Sequence, residues 1–428
     1  MKNHCLLLLF MLLSGALLSQ ISRQCITETG ERPLSSPGVV DLSRVPPLIT
    51  DSENPTGKHQ MVMPGEASHV TTAVMGRDGS YFYVKRSLLS NDTSVFYRAA
   101  YHSGEMVLFQ LADYHSGEEA LNVIGLYPDQ NAGKVAIAVE IENSGICDVV
   151  VVDLNGHILD NYLTGISPYR LSWMPDGQNL LYHRWSADER DDPKFASRTK
   201  TMMHKVGTTE KEDRVYFSAK TNPELTIADS ELPTAYFDSS LEAVVGIIRS
   251  EDQHLRMYLK LGDLYDTSSW MTLATARDQV IQFSASQRQV CYLTSEDAQN
   301  RKIMISELRW PDISNADLLV PEFPDELITS LVVNADGVYF TTEKKEVKEA
   351  RLWFKALGKN HPEPIGLPHP VEDIKLELTD PAGSDIWVQV YGKNRFEMRY
   401  RYIRAQGKFV EQPVQPSEIE EANNEMLQ

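Results

Sequence analysis

An all-β fold, a seven-bladed β-propeller with an irregular N-terminal arm, is what this sequence predicts. Three observations carry the prediction: a turn phrase that returns ahead of apolar runs, a near-constant interval between clusters of such runs, and almost no helical period. The phrase is fullest at Met174-Pro175-Asp176-Gly177-Gln178-Asn179-Leu180-Leu181-Tyr182, which follows Leu171-Ser172-Trp173. Looser copies are Met75-Gly76-Arg77-Asp78-Gly79-Ser80-Tyr81-Phe82-Tyr83-Val84 and Val333-Asn334-Ala335-Asp336-Gly337-Val338-Tyr339-Phe340. Asp-Gly suits a tight turn because Gly takes φ > 0 without steric cost, and the alternation that follows puts every second side chain on one sheet face. Regular return of such a phrase marks a ring or stack of small sheets.

Seven units divide the stretch 70–412. The first, about 70–115, has strands at Tyr81–Lys85, Val95–Tyr101 and Val107–Leu111; the second, about 121–165, at Val135–Glu140, Asp148–Asp153 and Ile158–Leu163. The third, about 168–220, has Tyr169–Trp173, Asn179–His183, Thr199–Lys205 and Arg214–Phe217. The fourth, about 232–276, has Ala235–Phe237, Ala243–Ile248 and Arg256–Lys260; the fifth, about 279–322, has Val280–Ser284, Gln289–Leu293 and Ile303–Leu308. The sixth, about 327–369, has Ile328–Val333, Gly337–Thr341 and Ala350–Ala356; the seventh, about 372–412, has Ile374–Glu377, Asp385–Val390 and Glu397–Arg401. The units average about 49 residues, the size of a four-stranded blade. A solenoid would need capping repeats, and a pair of sandwiches fewer, longer strands.

The 428 residues carry a formal charge of −19, which argues against a nucleic-acid partner because phosphate backbones are gripped by Lys and Arg. Met1–Ser19 reads as a secretory signal peptide, with Lys2 ahead of an apolar Leu6–Leu13 and then Ser14-Gly15-Ala16. It is too short for a membrane span, which needs ~20 apolar residues. The expected division is signal 1–19, arm 20–69, propeller 70–412 and polar tail 413–428, with export to a periplasmic or extracellular compartment. Of the four cysteines, at 5, 25, 147 and 291, none has metal-ligand spacing, and Cys147 and Cys291 fall in apolar strands as buried, reduced filler.

The third unit continues through Leu181-Tyr182-His183-Arg184-Trp185 and a polar loop to Met203-His204-Lys205-Val206-Gly207-Thr208-Thr209-Glu210-Lys211-Glu212-Asp213-Arg214-Val215-Tyr216-Phe217. This resembles the propeller domain of the prolyl oligopeptidase family of serine peptidases, where a strand ends in His-x-Leu-Gly-Thr and an acidic pair precedes the next strand. Val206 stands in the Leu position and Glu212-Asp213 in that of the acidic pair. Gly133-Lys134-Val135-Ala136-Ile137-Ala138 and Val150–Leu154 are similar to the same family. The resemblance implies a propeller that filters short peptides on their way to a Ser-Asp-His triad in an α/β-hydrolase domain. It implies peptides and a separately encoded hydrolase domain as partners, and Leu181 as the position that contacts substrate. The family's opening Tyr-Pro-x-x-Arg segment is not matched. After the seventh unit only 412–428 remain, too few for the hydrolase, so the expectation is a propeller without catalysis of its own.

The residues agree with that expectation. Gly165-Ile166-Ser167-Pro168-Tyr169 is the nearest approach to a nucleophile elbow, but it lacks the second Gly and runs into a strand. No His-Glu-x-x-His or paired-histidine spacing implies a metal, and no cofactor is expected. His361-Pro362 and His369-Pro370 read as turns, as do the twin phrases Tyr101-His102-Ser103-Gly104-Glu105 and Tyr114-His115-Ser116-Gly117-Glu118. Asp188–Asp192 is a charged loop, and Asn91-Asp92-Thr93 a glycosylation sequon. Two functions remain: the substrate-gating part of a split peptidase, or an exported stand-alone binding module.

Overall fold

The computed structural model describes residues 68–412 apart from 79, 88–91, 100–103, 115–120, 142–143, 168–170, 188–191, 193, 240, 251–253, 287, 345, 379–384 and 393–396. The signal and arm, the polar tail, Cys25, Asn91, His102, His115 and most of the Asp188–Asp192 loop lie outside the described residues.

The fold is all-β, and among the described residues the strands fall in seven consecutive runs of four. The first run is β1 (Ser68–Met75), β2 (Tyr81–Ser87), β3 (Thr93–Arg98) and β4 (Met106–Gln110); the second is β5 (Leu121–Pro128), β6 (Lys134–Ile141), β7 (Cys147–Asp153) and β8 (Ile158–Ile166). The third is β9 (Ser172–Trp173), β10 (Asn179–Arg184), β11 (Lys200–Lys205) and β12 (Arg214–Phe217); the fourth is β13 (Leu232–Asp238), β14 (Ala243–Arg249), β15 (Leu255–Lys260) and β16 (Met271–Ala274). The fifth is β17 (Val280–Ala285), β18 (Gln289–Thr294), β19 (Lys302–Glu307) and β20 (Asp317–Val320). The sixth is β21 (Glu326–Val333), β22 (Gly337–Lys344), β23 (Glu349–Ala356) and β24 (Glu363–Ile365); the seventh is β25 (Asp373–Leu378), β26 (Ile386–Tyr391), β27 (Glu397–Ile403) and β28 (Lys408–Gln412). Each run is an antiparallel meander in chain order, and the fourth and fifth touch through one pair, Leu255 with Val280.

First strands of successive runs pack together, β1 on β5, β5 on β9, β9 on β13, β17 on β21 and β21 on β25, so the first strand is innermost and the fourth outermost. Six apolar clusters lie between consecutive runs. Middle strands therefore bury both faces, and their sequences are continuous rather than alternating. Val149 and Val151 join the cluster toward the third run, Val150 and Val152 the one toward the first. Ala243, Val245 and Ile247 likewise point one way and Val244 and Ile248 the other, with bare Gly246 leaving room for Trp270 and Phe217.

The turn phrase has two mechanisms, not one. At Asp176 the expectation holds: Gly177 takes φ 61°, and the carboxylate accepts from the backbone N–H of Gln178 at 2.8 Å and of Asn179 at 3.1 Å. At Gly337 the reason is close approach, because a Cβ there would meet the Lys355 carbonyl at 2.3 Å, while Asn334 Oδ1 caps the turn by accepting from Gly337 N–H at 3.2 Å.

An innermost strand pairs on one side only, and the neighbouring run satisfies its other edge. Ala235 N–H donates to Thr201 Oγ1 at 2.8 Å and Phe237 N–H to Ser172 Oγ at 3.1 Å; Pro233, at the same parity, has no N–H to place. Leu331 N–H donates to Gln282 Oε1 at 3.1 Å and Val333 N–H to Ser284 Oγ at 3.0 Å. Ser284→Ala is expected to strand the Val333 N–H and cost about 1–3 kcal/mol. A lower urea midpoint at unchanged slope would report it. Exposed Ser314→Ala should move stability by less than about 0.5 kcal/mol.

Candidate functional site

Most residues of the phrase from His204 to Asp213 have a task in the third run. His204 lies on the face of β11 that looks toward the second run, as Met202 does. Its Nδ1 meets Asp213 Oδ1 at 2.7 Å and its Nε2 meets Asp160 Oδ2, on β8, at 2.8 Å. Tyr182 O–H donates to Asp213 Oδ2 at 2.7 Å, and Gly207 N–H donates to Asp160. Gly207 takes φ 86°, which favours glycine, and Thr208 Oγ1 closes the hairpin by donating to the Lys205 carbonyl at 2.7 Å. Thr209 and Glu212 form a capping box around the short 3-10 turn Glu210–Glu212. Glu210 accepts from Arg184 Nη1 at 2.9 Å and from Thr164 N–H at 2.8 Å.

With a carboxylate on each nitrogen, the His204 ring donates twice and is held as imidazolium. Burial alone would lower its pKa, but the two carboxylates outweigh burial and raise it to about 9. The three side chains are at most 1% exposed. A catalytic base needs one free nitrogen within reach of substrate, and His204 has none. The cluster is a latch between the second and third runs. Sequence reading found His204 and Asp213 and missed Asp160, whose one signal is a carboxylate inside an apolar strand.

Ser167 sits just past β8, buried, with its N–H donating to the His183 carbonyl at 3.0 Å. No helix follows among the described residues; the next element is β9. The His183 ring nitrogens make no hydrogen bond, and burial lowers its pKa to about 3, leaving it neutral against the Trp185 ring at 5.0 Å. The His183 ring therefore makes no hydrogen bond to the hydroxyl of neighbouring Ser167. Ser295 Oγ lies 3.4 Å from His254 Nε2 but donates to Gln279 Oε1 at 3.0 Å, so that serine is not activated either.

Leu181 is fully buried among Met174, Met203 and Phe217 between the third and fourth runs. His361 and His369 are exposed in connections, and Glu105 binds Lys85 Nζ at 2.6 Å rather than serving only its turn. Cys147 and Cys291 are free and buried, and burial raises both thiol pKa values. Among the described residues no cluster of His, Cys, Asp and Glu could hold a metal ion, and no helix is long and apolar enough to cross a membrane.

These sheets and their latch define a β-propeller of four-stranded blades. Residues 68–363 match the family described as the prolyl oligopeptidase N-terminal beta-propeller domain, and the chain belongs to that family. A structure from a study of two prolyl endopeptidases is similar at TM-score 0.64 and 17% identity, covering 80% of this chain and 49% of that one. Oligopeptidase B from Leishmania major is similar at TM-score 0.64 and 13% identity, covering 82% and 49%. Prolyl oligopeptidase B from Galerina marginata is similar at TM-score 0.61 and 13% identity, covering 80% and 50%. The chain thus spans about half the length of the solved structures it matches. No curated protein matches it by sequence.

The latch makes stability pH-dependent with a definite sign. The folded pKa of His204 lies above its unfolded value near 6.5, so its contribution is complete below pH 6.5 and is lost as pH rises through about 9. That contribution is on the order of 3 kcal/mol. His204→Gln should cost about 3–5 kcal/mol at pH 7. The gap between wild type and variant should narrow on titration to pH 9.5, measured by urea unfolding at each pH.

Proposed function

We propose that this chain is the substrate-gating propeller of a prolyl oligopeptidase-like serine peptidase, non-catalytic by itself and completed by a separately encoded α/β-hydrolase domain. The seven runs are read as the seven blades of the ring. The observation that carries the reading is the family match, joined to the disposition of the first and last strands. Within each meander the turns between strands one and two, and three and four, lie at one end. The turns between strands two and three, and the connections between runs, lie at the other. β1 begins and β28 ends at that second end. A hydrolase domain on this face would receive peptides that the ring has filtered. His204 is held by two carboxylates, His183 is buried with no hydrogen bond to its ring, and Ser295 donates to Gln279, which supports the non-catalytic assignment. Export, read from Met1–Ser19, belongs to the same proposal.

The purified chain should not turn over a Gly-Pro fluorogenic peptide, with or without a serine-directed covalent inhibitor. Turnover should appear when the hydrolase domain is added. Inhibitor-sensitive turnover by the chain alone, abolished by Ser167→Ala, would overturn the proposal. Peptide binding without turnover in the presence of the hydrolase domain would favour the stand-alone module.

A further inference from the structure

The first run has two unlike faces. Phe82, Val84, Val95 and Tyr97 point into the cluster shared with the second run, so by alternation Tyr81, Tyr83, Lys85, Phe96 and Arg98 stand on the opposite face. Tyr83 and Phe96 stack there at 5.7 Å between ring centroids, and Lys85 Nζ lies 4.8 Å over the Phe96 ring. Arg98, the last residue of β3, pairs across the ladder with Tyr81, and its guanidinium lies 4.8 Å over that ring. Arg98 is 6% exposed, and its Nε and Nη1 are buried with no hydrogen-bond partner. The described carboxylates at this end of the run serve other groups. Glu105 accepts from Tyr83 O–H and holds Lys85 Nζ at 2.6 Å, while Asp78, in the turn before β2, accepts from Ser80 N–H at 2.9 Å. A guanidinium does not deprotonate in proteins, so burial cannot neutralise it. A desolvated, unpaired charge destabilises the fold that carries it.

We propose that Arg98 anchors a binding site for a monocarboxylate with an apolar body. Lys85 and Glu105 offset each other, which leaves one uncompensated positive charge on this face, and one negative charge balances it. A carboxylate carries that charge, whereas a phosphate group near pH 7 carries about −1.5 to −2 and would leave a surplus in a dry site. Guanidinium and carboxylate also form the strong, charge-assisted class of hydrogen bond. The Tyr81 ring beneath the guanidinium offers apolar surface to the rest of the ligand. The site is independent of the peptidase reading, since its test needs neither a hydrolase domain nor turnover.

The test uses the full chain in chloride buffer, with benzoate, its uncharged counterpart benzamide, and inorganic phosphate as probes. Benzoate should raise the urea midpoint with concentration and give a saturable calorimetric titration, benzamide should do neither, and phosphate should bind more weakly than benzoate. Arg98→Met should abolish the benzoate effect. Without ligand its midpoint should equal or exceed that of wild type, because an apolar side chain replaces an unpaired buried charge. Arg98→Lys keeps the charge without the planar fork and should bind benzoate at least about tenfold more weakly. A phenylalanine-terminated peptide, as free acid and as amide, distinguishes a peptide end from a free organic acid: binding of the acid form alone assigns the site to peptide ends, and binding of benzoate alone assigns it to small acids. The proposal is overturned if neither benzoate nor the acid peptide binds, if charged and uncharged probes act alike, if phosphate binds as tightly as benzoate, or if binding survives in Arg98→Met. It is equally overturned if Arg98→Met lowers the ligand-free midpoint or fails to fold, since Arg98 would then have its partner within the chain.

Discussion

The innermost strand of each run has an edge that its own sheet cannot reach. A barrel removes such edges by closing one continuous ladder, whereas a ring of separate meanders leaves one per sheet. At two of these edges the preceding run closes it with side chains: Ser172 and Thr201 against β13, and Gln282 and Ser284 against β21. These bonds fix the height of one sheet against the next as well as satisfying buried donors. The apolar clusters, which are non-directional, could not set that height alone.

The latch at His204 does the same at the outer side of the third run. Asp160 comes from the outermost strand of the second run, so the imidazolium ties two sheets that also meet through apolar packing and through the bonds of Glu210 to Thr164 and Trp173 to Tyr127. Burying one cation between two carboxylates is tolerable because every partner is hydrogen-bonded, and removing any of them would leave an unpaired charge in a dry site. The need for a donor to each of two buried carboxylates explains why a histidine stands there.

How much of this was legible in the sequence followed from which strands are buried on two faces. β2, β10, β14, β18 and β22 are continuous apolar runs and were read within a few residues. β20 and β24 were not, because an outermost strand packs on one side and pairs on one edge: Asp317 and Leu318 are exposed, and β24 contains Pro364. β5 was missed for a different reason. A register shift between Val123 and Gly125 breaks its alternation, and Pro128 ends it. In the latch, His204 and Asp213 stood out because they are nine residues apart in one phrase. Asp160, 44 residues before His204, carries no local sign of its partner.

The two ends of the sheets are chemically unlike, and topology is the cause. One end collects the connections between runs, which are free to vary in length and include the 218–231 stretch. The other collects hairpins between third and fourth strands, where that of the fourth run is held by Lys260 Nζ on the Ser268 carbonyl and by Tyr216 O–H on the Leu264 carbonyl at 2.6 Å. A hairpin held by such caps loses less entropy when a partner covers it than an uncapped loop would.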